Sequence, residues 1–367
     1  MSRTRSRPRG LLSMCMMAGL LATSIATAAA PMPRFEVDPS WPRVPAHWKL
    51  GDVSSVAVDQ DDNTWILHRP RTLKPEDAAS AAPAVLEFDR DGKFIRAWGG
   101  PGQGYEWPER EHGIHVDFRG NVWIGGNNCA GLNIAGLKPV ADDAILKFTR
   151  EGRFQLQIGR SGGSMGNGDT ANVHRAADAW VHRPTNELFV ADGYGNTRVI
   201  VFDAATGKYK RHWGAFGKAP AGPDNCVQNP PKSFVDGQGP EHFNIVHALR
   251  VSNDGLVYVA DRENRRVQVF TTGGKYLRQL IRKDEPFARD LALSTDRAQQ
   301  FLYVGGGDGI FVVERKSMEV LGMIKVPGQL GTGHHLAVDS KGNLYIAQTG
   351  AGMQKLVFKG WTAGGFR

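Results

Sequence analysis

The sequence predicts an all-β fold, a six-bladed β-propeller whose ring is closed by its N-terminal strand. Three observations carry this expectation. Glycine makes up 45 of 367 residues, short runs alternate apolar and polar positions along the chain, and one strand–turn–strand pattern recurs six times. The copies begin at Ser54, His112, Ala177, His247, Arg289 and His334, 42 to 70 residues apart. Each is followed by further β-rich runs, so each copy supplies about four short strands, the content of one propeller blade. The sixth copy has room only for MQKLVFKG near the end of the chain. The early segment Phe35-Glu36-Val37-Asp38 is therefore expected to complete the sixth blade, and closure of this kind removes exposed sheet edges. The wider spacings come from two Gly-, Asn- and Pro-rich insertions, 126–142 and 218–242, which suit loops capping one face of the disc.

Residues 1–30 read differently. Arg3, Arg5, Arg7 and Arg9 precede an apolar stretch from Leu11 to Ile25, and Ala26-Thr27-Ala28-Ala29-Ala30 follows. A basic start, an apolar middle and small residues at A-x-A spacing define a secretory signal peptide. The apolar stretch is shorter than the roughly 20 residues that span a bilayer, so no transmembrane anchor is expected. The expected domains are a signal peptide, 1–30, and a propeller, 31–367, exported to the periplasm or the cell exterior. The formal charge of +8 halves to +4 once the leader's four arginines are set aside. The remaining basic residues are scattered, which excludes a nucleic-acid partner. Hydrophobic and aromatic contents of 41% and 9% exclude a disordered chain. Cys129 and Cys226 are expected either to pair in the oxidising exterior or to be unrelated loop thiols. The chain is expected to act as a monomer.

Aligning the copies on their turn residue exposes a register. Gly120, Gly255 and Gly342 occupy the turn in copies two, four and six, and eight residues earlier stand His112, His247 and His334. In a propeller this position starts the innermost strand beside the central channel. Alternate blades lie a third of a turn apart, so three histidines at one depth form a set able to hold a single metal ion on the axis. Three imidazoles and an open position make the catalytic zinc arrangement. A single histidine of this kind would be read as a satisfied structural residue; the shared register favours a shared site. His115, three residues after His112, falls on the opposite side of its strand.

At these residues the sequence resembles a known family. GDVSSVAVDQDDNTWILHR, EHGIHVDFRGNVWI, ADGYGNTR and FNIVHALRVSNDGLVYVADRENRRVQVF resemble NHL repeats. Over residues 45–358 the chain is similar to the peptidyl-α-hydroxyglycine α-amidating lyases. The resemblance implies one zinc, or another divalent transition metal, on His112, His247 and His334. It implies that Tyr194 transfers a proton and that Arg69 binds a carboxylate or stabilises developing charge, roles that suit a phenol and a guanidinium fork. The implied reaction splits a hydroxyglycine-extended small-molecule or peptide substrate on the propeller axis into an amide and glyoxylate.

The chain departs from the family at His335, where the family carries an aspartate shared by the catalytic centre and a structural calcium site. Calcium takes oxygen ligands, so the substitution disfavours calcium even though the other contacts would be the carbonyls of Val56 and Ile114. His335 is expected in the catalytic set, as a base near neutral pH or as a further nitrogen ligand. Gly195 stands where the family has a cysteine. Two other functions compete with the lyase. One is a non-catalytic NHL propeller that binds a protein or cell-wall partner. The other is a sugar-lactone hydrolase, ranked last because histidines occupy the positions where carboxylates would be needed.

Overall fold

The computed structural model describes residues 1–2, 32–131, 134–222, 239–326 and 333–362. The expected leader, Cys226 and most of the second insertion lie outside them. The described residues form six antiparallel sheets of four strands each, arranged as a propeller. The innermost strands are Asp52–Val58, Glu111–Val116, Asp178–His182, Val246–Val251, Leu291–Leu293 and His335–Val338, in blades one to six. Blade six is closed by Pro33–Val37, which pairs with Gly352–Trp361 through Phe35 opposite Phe358 and Val37 opposite Leu356. The N-terminal strand thus completes the ring.

The turns of the repeat have a local cause. Asp59, Asp117 and Asp339 each follow an innermost strand. Each accepts hydrogen bonds through Oδ1 from the backbone N–H groups two and four residues ahead, a polar cap for a tight turn. Oδ2 of each reaches six residues on, to the indole of Trp65, the indole of Trp123 or the hydroxyl of Tyr345, at 3.0 Å. One carboxylate therefore sets the turn and anchors an aromatic on the next strand. Gly120 and Gly342 complete two of these turns at positive φ, +79° and +81°.

Packing follows the alternation of the strands. Six apolar clusters occupy the six seams between neighbouring blades. Trp65 and Leu67 of blade one meet Ile124 and Phe148 of blade two, for example, and Val56 meets Tyr345 across the closing seam. Full burial of one such side chain stabilises the fold by about 1.5–3 kcal/mol. Every seam is filled in this way, so the ring holds the innermost strands, and the side chains they project to the axis, at fixed positions.

Candidate metal centre

His112 and His247 are second in the innermost strands of blades two and four, His334 immediately precedes that of blade six, and the fold brings them together on the axis. Their ring centroids lie 4.6 to 5.1 Å apart. His335 joins them, and one ring nitrogen from each of the four lies within 4.8 Å of the others.

The blades between them orient the rings. Nδ1 of His112 meets the carbonyl oxygen of Ala177 at 2.7 Å, Nδ1 of His247 that of Arg289 at 2.5 Å, and Nδ1 of His334 that of Ser54 at 2.6 Å. A carbonyl only accepts, so each Nδ1 carries the proton and each Nε2 is left as a bare lone pair. Ser54, Ala177 and Arg289 are the residues at the same register in blades one, three and five. Even blades supply the imidazoles and odd blades the carbonyls that fix their tautomer. Gly113 permits one of these contacts, because a Cβ there would lie 2.4 Å from the Ala177 oxygen.

Electrostatics agree with this tautomer. Burial, then the neighbouring imidazoles and Arg69, push His112 well below the usual histidine range. Burial, then Arg262 and the other histidines, do the same for His247; burial, then His335 and Arg69, do so for His334. Three neutral imidazoles with converging Nε2 atoms suit a divalent transition metal. The donor set fits that ion on a further observation, since Nε2 of His247 is buried and has no hydrogen-bond partner among the described residues.

Tyr194 stands against this set. Its hydroxyl donates to Nε2 of His112 at 3.0 Å and accepts from Nη1 of Arg262 at 3.0 Å. Arg69 is buried, hydrogen-bonds the Glu111 carbonyl through Nε, and places its charge close enough to act on His112 and His334. Burial and nearby Arg110 pull its guanidinium down to about 10, still protonated at neutral pH.

Two buried ion pairs position Tyr194 and Arg262. Asp192 pairs with Arg198 at 2.8 Å and Asp261 with Arg266 at 2.7 Å, all four side chains fully buried. Asn196 and Asn264 donate to the same carboxylates. Asp192, Asn196 and Arg198 of ADGYGNTR, and Asp261, Asn264 and Arg266 of VADRENRR, therefore clamp their turns. Tyr194 and Arg262 are what these clamped turns present to the axis.

Sequence reasoning missed Arg262, although it lies inside a quoted motif; the signal available was its place beside Asp261 at the end of a strand. It also missed the carbonyl partners, because any residue supplies a carbonyl. His115 lies apart, its ring tilted at 33° against Trp180 at 4.7 Å and its Nε2 accepting from the N–H of Val181.

The two ends of the channel differ. A cavity of about 270 Å³ at the histidine end is lined by His247, Arg262, Glu263, Arg289 and His334. The larger one, about 600 Å³, opens at the other end and is lined by Val56, Ile114, Asp178, Trp180 and Arg250. The residues there do not suit calcium. Arg250 is buried among them, its Nη1 2.5 Å from Asp178 and its Nη2 3.5 Å from Asp290. A fixed guanidinium already takes up these carboxylates, and position 335 offers nitrogen where an oxygen ligand would be required. Burial works against charge on Asp290, yet Arg250 and then His335 hold its carboxyl below the ordinary range. Cys129 is buried in a disulfide, and its expected partner lies outside the described residues.

Fold and centre together define a class, a six-bladed propeller with a histidine cluster on its axis. The NHL repeat family matches residues 243–270. The chain resembles the peptidyl-α-hydroxyglycine α-amidating lyases. It is 25% identical over 352 residues to peptidyl-alpha-hydroxyglycine alpha-amidating lyase 2 of Drosophila melanogaster, covering 89% of this chain and 75% of that protein. It is 27% identical over 277 residues to peptidyl-glycine alpha-amidating monooxygenase B of Xenopus laevis, covering 70% of this chain. The match spans 26% of that longer relative. NHL repeat-containing protein 3 of Homo sapiens is 25% identical over 242 residues, covering 64% of this chain and 56% of that protein. Among the described residues no helix is long and apolar enough to cross a membrane.

Proposed function

We propose that this protein is an exported, metal-dependent carbon–nitrogen lyase that cleaves a hydroxyglycine-type substrate to an amide and glyoxylate. One observation carries the reading: three tautomer-fixed imidazoles converge beside a tyrosine whose hydroxyl bridges His112 and Arg262. His112, His247 and His334 would hold the ion, zinc or another divalent transition metal. When bound, such an ion lowers the pKa of a coordinated hydroxyl.

The chain's own groups supply the rest. Arg69, and the Arg262 and Arg289 side chains lining the small cavity, give the mouth a positive field that selects a carboxylate-bearing substrate. Arg262 donates to the Tyr194 oxygen and so fixes its position beside the histidines. Tyr194 takes the substrate's hydroxyl proton as its own phenol proton passes to the leaving amide nitrogen. The freed electron pair forms the aldehyde C=O of glyoxylate, and the C–N bond breaks.

The competing reading is a propeller that only binds a protein or cell-wall partner. Glyoxylate release from an α-hydroxyglycine peptide decides between them. The lyase reading expects catalytic release that is lost in Tyr194→Phe; a metal-loaded protein that releases none contradicts it.

A further inference from the structure

His335 breaks the symmetry of the channel. In blades two and four the same register carries Gly113 and Ala248, residues with little or no side chain, whereas blade six places an imidazole there. The ring lies 5.3 Å from His112, 4.7 Å from His334, and 5.4 Å from His247, on which it stacks at 28°. Its Nε2 is buried and has no hydrogen-bond partner among the described residues, a costly arrangement unless a ligand takes the lone pair.

The other ring nitrogen has a partner. Nδ1 faces Oδ2 of Asp290 at 3.5 Å. Asp290 also accepts the N–H of Leu336, which ties it to the same strand as His335. Beneath it, Arg250 bridges Asp290 and Asp178 and donates to the Leu336 carbonyl at 3.3 Å. A carboxylate behind a histidine, with the far nitrogen turned to a cluster of bare nitrogens, is the outer-shell pattern of a metal ligand. His112, His247 and His334 have carbonyls in that place; His335 has a carboxylate, the other common outer-shell partner of a metal-bound histidine.

We propose that His335 is a fourth imidazole ligand, which makes the centre a four-histidine site held from below by Asp290 and Arg250. This rests on the three-histidine metal centre proposed above. Zinc sites with four protein ligands are closed, whereas a catalytic site keeps a position open. A four-imidazole centre that admits a substrate oxygen must therefore use a fifth position. That requirement favours imidazole-binding first-row metals that take five or six ligands over tetrahedral zinc.

The test uses Co(II) alone as the probe on the full chain stripped of metal. X-ray absorption counts the imidazoles on cobalt, and competition with a chelator gives the affinity. Wild type is expected to show four imidazoles. His335→Ala should show three and bind Co(II) at least tenfold more weakly, and Asp290→Asn should keep four with an affinity loss of about tenfold. His335→Gln, closer in volume, covers the case in which the alanine variant fails to fold. Three imidazoles in wild type, with His335→Gln binding Co(II) as tightly as wild type, would overturn the fourth ligand and leave the three-histidine centre standing. Folded wild type that binds no Co(II) overturns both.

Discussion

His112 donates a hydrogen bond from Nδ1–H to the carbonyl of Ala177, the residue at its own register in the next blade, across 2.7 Å. His247 does the same with Arg289 and His334 with Ser54. The relation repeats three times around the axis, so the spacing of the blades itself sets the tautomer. Gly113→Ala tests it without touching a ligand. The added methyl would meet the Ala177 oxygen at 2.4 Å and displace the acceptor of His112. Metal affinity is expected to fall roughly 10- to 100-fold, read by chelator competition; unchanged affinity would show that the carbonyl does not matter.

Tyr194 bridges His112 and Arg262 through a single oxygen. Tyr194→Phe removes that oxygen and keeps the ring. In glyoxylate-release assays kcat should fall by roughly 10²- to 10⁴-fold while metal content stays at the wild-type level. Loss of metal together with activity would assign the tyrosine to holding the site and not to proton transfer.

Arg250 is the buried cation between Asp178 and Asp290. Arg250→Met leaves two buried carboxylates without their counter-charge, which costs roughly 3–5 kcal/mol when a buried pair is broken. Urea unfolding should show a lower midpoint, and adding Asp178→Asn should recover part of the loss. An Arg250→Met variant as stable as wild type would mean that the network contributes little to the ring.

Acid should weaken the metal-free fold. Burial is the first cause that lowers His68 and His115 to about 4, and it also holds His112, His247 and His334 well below their ordinary value. These imidazoles stay neutral when folded but take a proton when unfolded, below about pH 6.5. Their contribution is complete above that pH and is lost as pH falls, by about 1.4 kcal/mol per pH unit for each group. Asp142 works the other way: burial raises it to about 7, so it favours the fold as pH drops. Seven imidazoles are lowered, His182 and His212 included, and they outnumber the four carboxylates that burial raises, Asp142, Glu87, Glu111 and Asp261. The urea midpoint should therefore fall between pH 7.5 and pH 5, and a flat or rising midpoint would contradict the buried neutral histidines.

Much of this was legible because propeller repeats write depth into sequence position. The distance from Gly120, Gly255 and Gly342 back to their histidines is the length of one innermost strand, so equal spacing meant equal depth. The closing strand could be read because the sixth copy lacked a run and Phe35–Val37 had no other partner. Arg262 and Asp290 were not legible as site residues. Their motifs also build turns, and only the three-dimensional path shows which side chain of a motif clamps Asp261 and which reaches Tyr194. Arg250 reads in sequence as one more basic residue on a strand; its burial between two carboxylates from other blades is a product of ring closure.

The metal content of the purified protein tests the central claim most directly. About one divalent transition metal ion per chain is expected, lost in His247→Ala while the fold is retained. A folded protein that carries no stoichiometric metal, and takes none up from excess zinc, cobalt or iron(II), would contradict it.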